Sequence, residues 1–227
     1  MKVCLFDIDG TLINSGKAGK DAMVTAFLEA AQLTQIDHAL HLSGKTDRGI
    51  FHELFEAHGK SLTDDNWRNF IELYLKRLEK NLPERQGLVL EGVVALLAKL
   101  SKRDDVLLGL LTGNVERGAQ LKLMHYGIDH YFAFGGFGDD HPHRNDVARA
   151  ALEAAEAFHG ARLSLEDVYV IGDTPNDVVC AKSIGAQSIA VATGVFSLDE
   201  LKATHPDLLL SDLKDTEQII DYIFPTT

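Results

Sequence analysis

Residues 3–12 read VCLFDIDGTL. An apolar run ends in two carboxylates, Asp7 and Asp9, followed by Gly10 and Thr11. Carboxylates one residue apart repel, and each costs several kcal/mol when buried without compensation. The rest of the chain indicates what compensates them. Residues 106–111 (VLLGLL) end in TGN, residues 168–171 (VYVI) in GDTPND, and residues 188–192 (SIAVA) in TG. Residues 208–210 close the series, and residues 131–134 are a weaker member. Short continuous apolar runs suit strands buried on both faces, as in a parallel sheet. Helical patterns lie between them at 92–102, 116–126, 145–158 and 176–184. The alternation predicts an α/β fold with a doubly wound, Rossmann-like parallel sheet.

Residues 15–85 follow another rule. Met23, Phe27 and Ala30 recur at helical spacing, as do Ile50, Leu54 and Phe55, and then Trp67, Phe70, Ile71, Tyr74, Leu75 and Leu78. The spacing predicts an all-helical insert, hinged at Ser15-Gly16 and around residues 83–87. The core would then be residues 1–14 and 86–227. Trp67, Phe70 and Tyr74 read as the insert's own apolar core.

The 227 residues carry 45% apolar and 25% charged side chains, with a net charge of −12. That length and composition suit one large domain, or a core with a smaller insert. The acidic surface argues against nucleic acid or anionic lipid as partners, and an anionic ligand would need local positive charge. Cys4 and Cys180 read as buried, reduced thiols. No signal peptide or membrane-length apolar stretch is evident, which gives an expectation of a cytoplasmic protein, monomeric or homodimeric.

In open parallel sheets ligands bind at the carboxyl ends of the strands. Here those ends carry Asp7-Ile8-Asp9-Gly10-Thr11, Thr112-Gly113-Asn114 and Gly172-Asp173-Thr174-Pro175-Asn176-Asp177. Converging carboxylates call for a divalent cation, and Mg²⁺ prefers a few carboxylates plus water and a phosphate. Asp7 could then attack phosphorus, and Asp9 could handle the leaving group's proton. Gly10 lets the backbone turn close to a ligand, and Thr11 donates hydrogen bonds.

In order and spacing FDIDGT, LLTGN and IGDTPNDVVCA resemble the first, second and fourth motifs of the haloacid dehalogenase superfamily, across essentially the whole chain. The helical insert sits where that family carries a helical (C1) cap, and the phosphoglycolate-phosphatase-like branch is nearest in layout. The resemblance implies a Mg²⁺-dependent phosphatase for a small phosphorylated metabolite, working through an aspartyl-phosphate. Asp7 would be the nucleophile and Asp9 the general acid, then base. The Asp7 and Asp173 carboxylates and the Asp9 main-chain carbonyl would hold Mg²⁺, with Asp177 in support. Gly10, Thr11, Thr112, Gly113 and Asn114 would line the phosphoryl site. The family's third motif is usually a lysine, often followed by proline. No such pair lies between Thr112 and Asp173, so Arg144 is the expected substitute, with Arg149 second. In the insert, SGKTDR places Lys45 and Arg48 where a cap loop would meet the leaving group.

Other readings weigh less. An EF-hand starting at Asp7 would need a glutamate where Ala18 stands. Asp139, Asp140, His141 and His143 suit a solvated loop before a helix better than a metal site. His38, His41, His52 and His58 are scattered over the insert. A 2-haloacid dehalogenase would lack Asp9. A sugar phosphomutase would keep it, a phosphonate hydrolase would want a cap lysine such as Lys45, and a receiver-like or scaffold protein would not turn over.

Overall fold

The computed structural model describes residues 1–36 and 42–225. His38 and His41 lie outside them. Strand β1 (Lys2–Phe6) is central to a six-stranded parallel sheet of order β5-β4-β1-β6-β7-β8. Its neighbours are β4 (Val106–Leu111) and β6 (Val168–Gly172). Outward lie β5 (Gly135–Gly136) on one side, and β7 (Gln187–Val191) and β8 (Leu208–Leu210) on the other. Alternate residues of β1 serve opposite cores. Cys4 and Phe6 pack with α4 (Val93–Leu100), α5 (Glu116–His125) and α9 (Thr216–Ile223). Val3 and Leu5 pack with α6 (Arg144–His159) and α7 (Pro175–Ser183). Burial on both faces explains why the strands read as continuous apolar runs. Because β4 and β6 flank β1 on opposite sides, the strand order reverses beside β1, where α/β sheets bind ligands.

Helices α1 (Ala18–Ala31), α2 (Asp47–Ala57) and α3 (Asp64–Glu84) form a unit with its own apolar cluster, including Phe27, Phe51, Phe55, Phe70 and Tyr74. The chain enters and leaves this unit through a two-stranded ribbon, β2 (Ile13–Asn14) against β3 (Leu88–Val89). Gly16, at the first of the expected hinges, takes a left-handed conformation (φ 59°) just after β2. The second begins later, because α3 runs through Pro83 to Glu84. Pro83 cannot donate to the carbonyl four residues earlier, and the helix ends one residue after it.

The weak strand expected at 131–134 is displaced. Asp129–Tyr131 forms a 3₁₀ turn, and pairing with β4 begins where Ala133 N donates to Leu108 O at 3.4 Å and Phe134 O accepts from Leu110 N at 3.0 Å. The Phe134 ring fills the space above Gly109, where a Cβ would come within 2.3 Å of it. Helix α8 (Leu198–Lys202) lies between β7 and β8 in the chain. Cys4 and Cys180 are buried and unpaired as disulfides, and burial pushes both thiols up to about 12.

Candidate active site

Asp7 directly follows β1, and its N–H extends the ladder to Ile171 O at 2.9 Å. Asp173 directly follows β6. The turn after it is a capping box: Thr174 caps α7, Pro175 takes the first helical position, and Asp177 Oδ2 accepts from Thr174 N at 2.9 Å and Thr174 Oγ1 at 2.8 Å. Asp177 Oδ1 accepts from Arg144 at 2.5 Å, so both of its oxygens are engaged. The same guanidinium lies 3.1 Å from Asp7 Oδ1. Arg144 therefore stands against Asp7, at the start of α6. Arg149 instead pairs with Asp146 at the surface.

Gly10 (φ 90°) has no room for a side chain. A Cβ there would lie 2.4 Å from Asp173 Oδ2, and one at Gly194 would lie 1.7 Å from it. Thr11 Oγ1 donates to Asp173 Oδ1 at 2.9 Å, and Thr193 Oγ1 to Gly10 O at 2.6 Å. The turn after β7 thus belongs to the site, though its TG carried no assigned role in the sequence.

Carboxylate oxygens of Asp7, Asp173 and Asp177 lie within 4.8 Å of one another. Burial pushes Asp7 up to about 6, against the pull of Arg144 and with the push of Asp177. Asp173 is raised well above its usual range by burial, then by the Asp7 and Asp177 charges. Arg144 is raised, because its two carboxylates outweigh the cost of its burial. One guanidinium does not balance three buried acids. An oxygen-preferring dication fits this donor set, with Asp7 and Asp173 the better-placed ligands and Asp177 occupied in holding Arg144 and the turn.

Asp9 has a different setting. Its Oδ2 accepts from Lys122 Nζ at 2.5 Å and from Asn114 Nδ2 at 3.0 Å. Asn114 also reaches Thr112 Oγ1 at 2.8 Å, and Lys122 donates to Asn114 Oδ1 at 2.6 Å. Burial raises the Asp9 carboxyl, but the Lys122 charge and these hydrogen bonds outweigh it and hold the group below the usual carboxylate range. Lys122 was not anticipated, as it sits inside the predicted helix. Its signal is positional, a lysine in the same buried stripe of α5 as Ala119 and Leu123.

Above these residues lies a cavity of about 340 Å³, roofed by the helical unit. Asp7, Asp9, Thr112, Asp173 and Arg144 line its floor, and Lys17, Lys20, Lys45, Met23, Ile50 and Tyr74 line its upper part. These cations supply the local positive charge that the acidic surface would otherwise deny an anion. Lys45 is also paired with Glu53. Arg48 does not line the cavity. Its guanidinium stacks 4.6 Å over the Trp67 ring and lies 3.7 Å from Asp64, because it faces the insert's outer aromatic cluster.

Asp47 joins the insert to the core. Its N–H donates to Gly113 O at 2.7 Å, and its Oδ2 accepts from Val115 N at 2.8 Å. A Cβ at Gly113 would lie 2.0 Å from Lys45 O, so glycine there lets the insert loop seat. Burial raises the Asp47 carboxyl to about 7, opposed by the Lys122 charge. Asp47→Ala leaves the buried Val115 N–H unsatisfied and is expected to cost about 1–3 kcal/mol. Urea unfolding checks this through a lowered midpoint, and an unchanged midpoint contradicts it.

Asp139 Oδ2 accepts from Glu116 N at 2.8 Å, so it caps α5. Asp7, Asp173 and Asp177 form the cluster with metal-ligand spacing among the described residues, and the loop 139–143 forms none. No helix among them is long and apolar enough to cross a membrane.

The model of the haloacid dehalogenase-like hydrolase family matches residues 4–191. A pyrophosphatase PpaX from Oceanobacillus iheyensis is 25% identical over 227 residues, covering 97% of each chain. A phosphoglycolate phosphatase from Agrobacterium fabrum is 24% identical, covering 92% of this chain and 88% of its own. The crystal structure of a hydrolase from Pseudomonas syringae superimposes with a TM-score of 0.74 at 23% identity, over 98% of this chain and 99% of that one. With the family match spanning most of the sheet and the relatives covering nearly the full length, this chain belongs to the haloacid dehalogenase-like hydrolase family.

Proposed function

We propose that this protein is a Mg²⁺-dependent phosphatase that hydrolyses a small phosphorylated metabolite through an aspartyl-phosphate on Asp7. One observation carries the reading: Asp7 and Asp9, a residue apart, sit in opposed settings. Asp7 lies among buried acids and Arg144, whereas Asp9 is held by Lys122 and Asn114. The two carboxylates have different partners, one set within the cluster of acids and the other at the cavity, which supports separate roles for them. The relatives named for pyrophosphate and phosphoglycolate support a phosphate ester or anhydride as substrate class.

Asp9, a carboxylate beside Lys122 in the free protein, takes a proton from solvent as the doubly negative phosphate enters; Asp7 then attacks phosphorus as the bond to the leaving oxygen breaks, and Asp9 gives that oxygen its proton. Asp9, now a carboxylate, takes a proton from the water that attacks the phospho-aspartate. Phosphate leaves and free Asp7 returns. Arg144 screens Asp7 from the incoming phosphoryl oxygens, and the Thr112 hydroxyl and the amides after it receive them. Asp7, Asp173 and the Asp9 carbonyl would hold Mg²⁺, which supplies neutralising charge to the phosphoryl group. Residues 15–85 act as a cap that covers the site, excludes water and selects the leaving group.

Phosphate release is expected with Mg²⁺ and not with EDTA, and release that ignores both refutes the metal requirement. A stability test needs no turnover. In metal-free protein Asp7 rises from 3.8 to about 6 on folding. A raised carboxyl favours the folded state below its unfolded pKa and loses that benefit as pH rises through its folded one. Metal-free stability should therefore fall by about 3 kcal/mol from this group between about pH 4 and pH 6. Bound Mg²⁺ offsets that loss, so urea unfolding curves with Mg²⁺ and with EDTA should diverge as pH rises. Parallel curves contradict the assignment.

A further inference from the structure

We propose that Lys122 is a positioning residue for Asp9, fixing which of its oxygens meets the leaving group, and that Gly19 of the cap makes room for it. The inference rests on the general-acid reading of Asp9. Lys122 is 3% exposed and is the one buried lysine among the described residues. It comes from α5, where its helical neighbours Ala119 and Leu123 are buried and apolar. A buried ammonium costs several kcal/mol unless paired, and a methionine would fill this place without that cost.

The pairing is one-sided. Lys122 and Asn114 both bind Asp9 Oδ2, whereas Oδ1 has only Ser15 Oγ at 3.5 Å, beyond good hydrogen-bond range. Lys122 and Asn114 also bind each other at 2.6 Å, so the three groups close a ring that resists rotation of the carboxylate. Asp9 lines the cavity, its side chain 39% exposed, and Oδ1 is left for the substrate. Oδ1, free of strong partners, takes up a proton from solvent as the phosphate dianion enters, and passes it to the leaving oxygen as the bond from phosphorus to that oxygen breaks. The new negative charge on Asp9 then faces the ammonium.

Gly19 lies on α1 above this ring. A Cβ there would come 3.1 Å from Lys122 Nζ and 3.4 Å from its Cε. Alanine would suit the helix better than glycine, so the site favours a residue that helix propensity does not. The seated cap and the position of the Lys122 head group are therefore linked through one missing methyl group.

The test compares kcat/KM on phenyl phosphate and p-nitrophenyl phosphate, which have nearly the same shape but differ in how much their leaving oxygen needs a proton. Lys122→Met should lose on the order of 10²-fold on phenyl phosphate and less than about 10-fold on p-nitrophenyl phosphate. Gly19→Ala should shift the same ratio in the same direction by a smaller factor, and it guards against a Lys122→Met protein that does not fold. Equal losses on both substrates, or losses confined to KM, overturn the positioning role. Asp9→Asn separates the two claims. It should show the same selectivity, and if it does not, the general-acid reading fails and the inference with it. A selective Asp9→Asn beside a non-selective Lys122→Met overturns the role of Lys122 alone.

Discussion

Asp7→Asn should reduce phosphate release by at least about 10⁴-fold while leaving a folded protein, as loss of a catalytic nucleophile does. Asparagine keeps the shape of the side chain and can still accept from a guanidinium. It cannot form an acyl phosphate. Its effect on stability should be opposite in sign. Asp7 is 5% exposed and its carboxyl is driven up by burial and by Asp177. A neutral amide escapes that penalty, so metal-free Asp7→Asn should melt no lower than the parent, and its stability should depend less on Mg²⁺. Loss of activity together with gained or equal stability is hard to obtain from a residue that merely supports the fold. Turnover within tenfold of the parent would remove Asp7 from the mechanism.

Arg144→Met should carry the largest stability penalty of any single change to the site. The guanidinium is 8% exposed and binds Asp7 and Asp177 together. Removing one partner of a buried ion pair costs about 3–5 kcal/mol, because the remaining charges are left uncompensated. For a chain of this size each kcal/mol moves the melting point by about 2–4 °C, so a fall of roughly 6–20 °C is expected. Mg²⁺ should recover part of it, since a dication also relieves Asp7. Arg144→Lys should do better than methionine and worse than arginine. An ammonium restores the charge, but its shorter stem and compact head do not reproduce the placement of Nη2 between the two carboxylates. A methionine variant with the parent's melting point and turnover would show that Arg144 neither balances the acids nor screens the nucleophile.

The sheet and the strand-end acids were legible in the sequence for one physical reason. A strand buried on both faces must be apolar throughout, so an aspartate at its end stands out against the run. Asp7, Asp173 and Thr112 all appear in that way. The helical unit was legible through its 3.6-residue period. The ribbon of β2 and β3 was not, because two-residue strands carry no period. Lys122 was hidden because helical patterns contain many lysines, and only tertiary packing shows that this one points inward. Arg48 shows the converse. It neighbours the seating loop in sequence, but helix α2 begins at Asp47, so Asp47 faces the core while Arg48 turns out onto Trp67. Thr193 and Gly194 were overlooked because a hydroxyl and a glycine after a strand are common in turns. Their contacts with Gly10 and Asp173 exist only once β7 lies beside β6.

The central claim is that Asp7 becomes phosphorylated during Mg²⁺-dependent turnover. The most direct measurement mixes protein and p-nitrophenyl phosphate with Mg²⁺ or EDTA, quenches during turnover, and reduces with borohydride. Borohydride converts an aspartyl-phosphate to homoserine, which peptide mass spectrometry locates. Homoserine at position 7, present with Mg²⁺ and absent with EDTA or in Asp7→Asn, is the predicted result. Steady phosphate release with aspartate unmodified at position 7, or homoserine at another position, would contradict it.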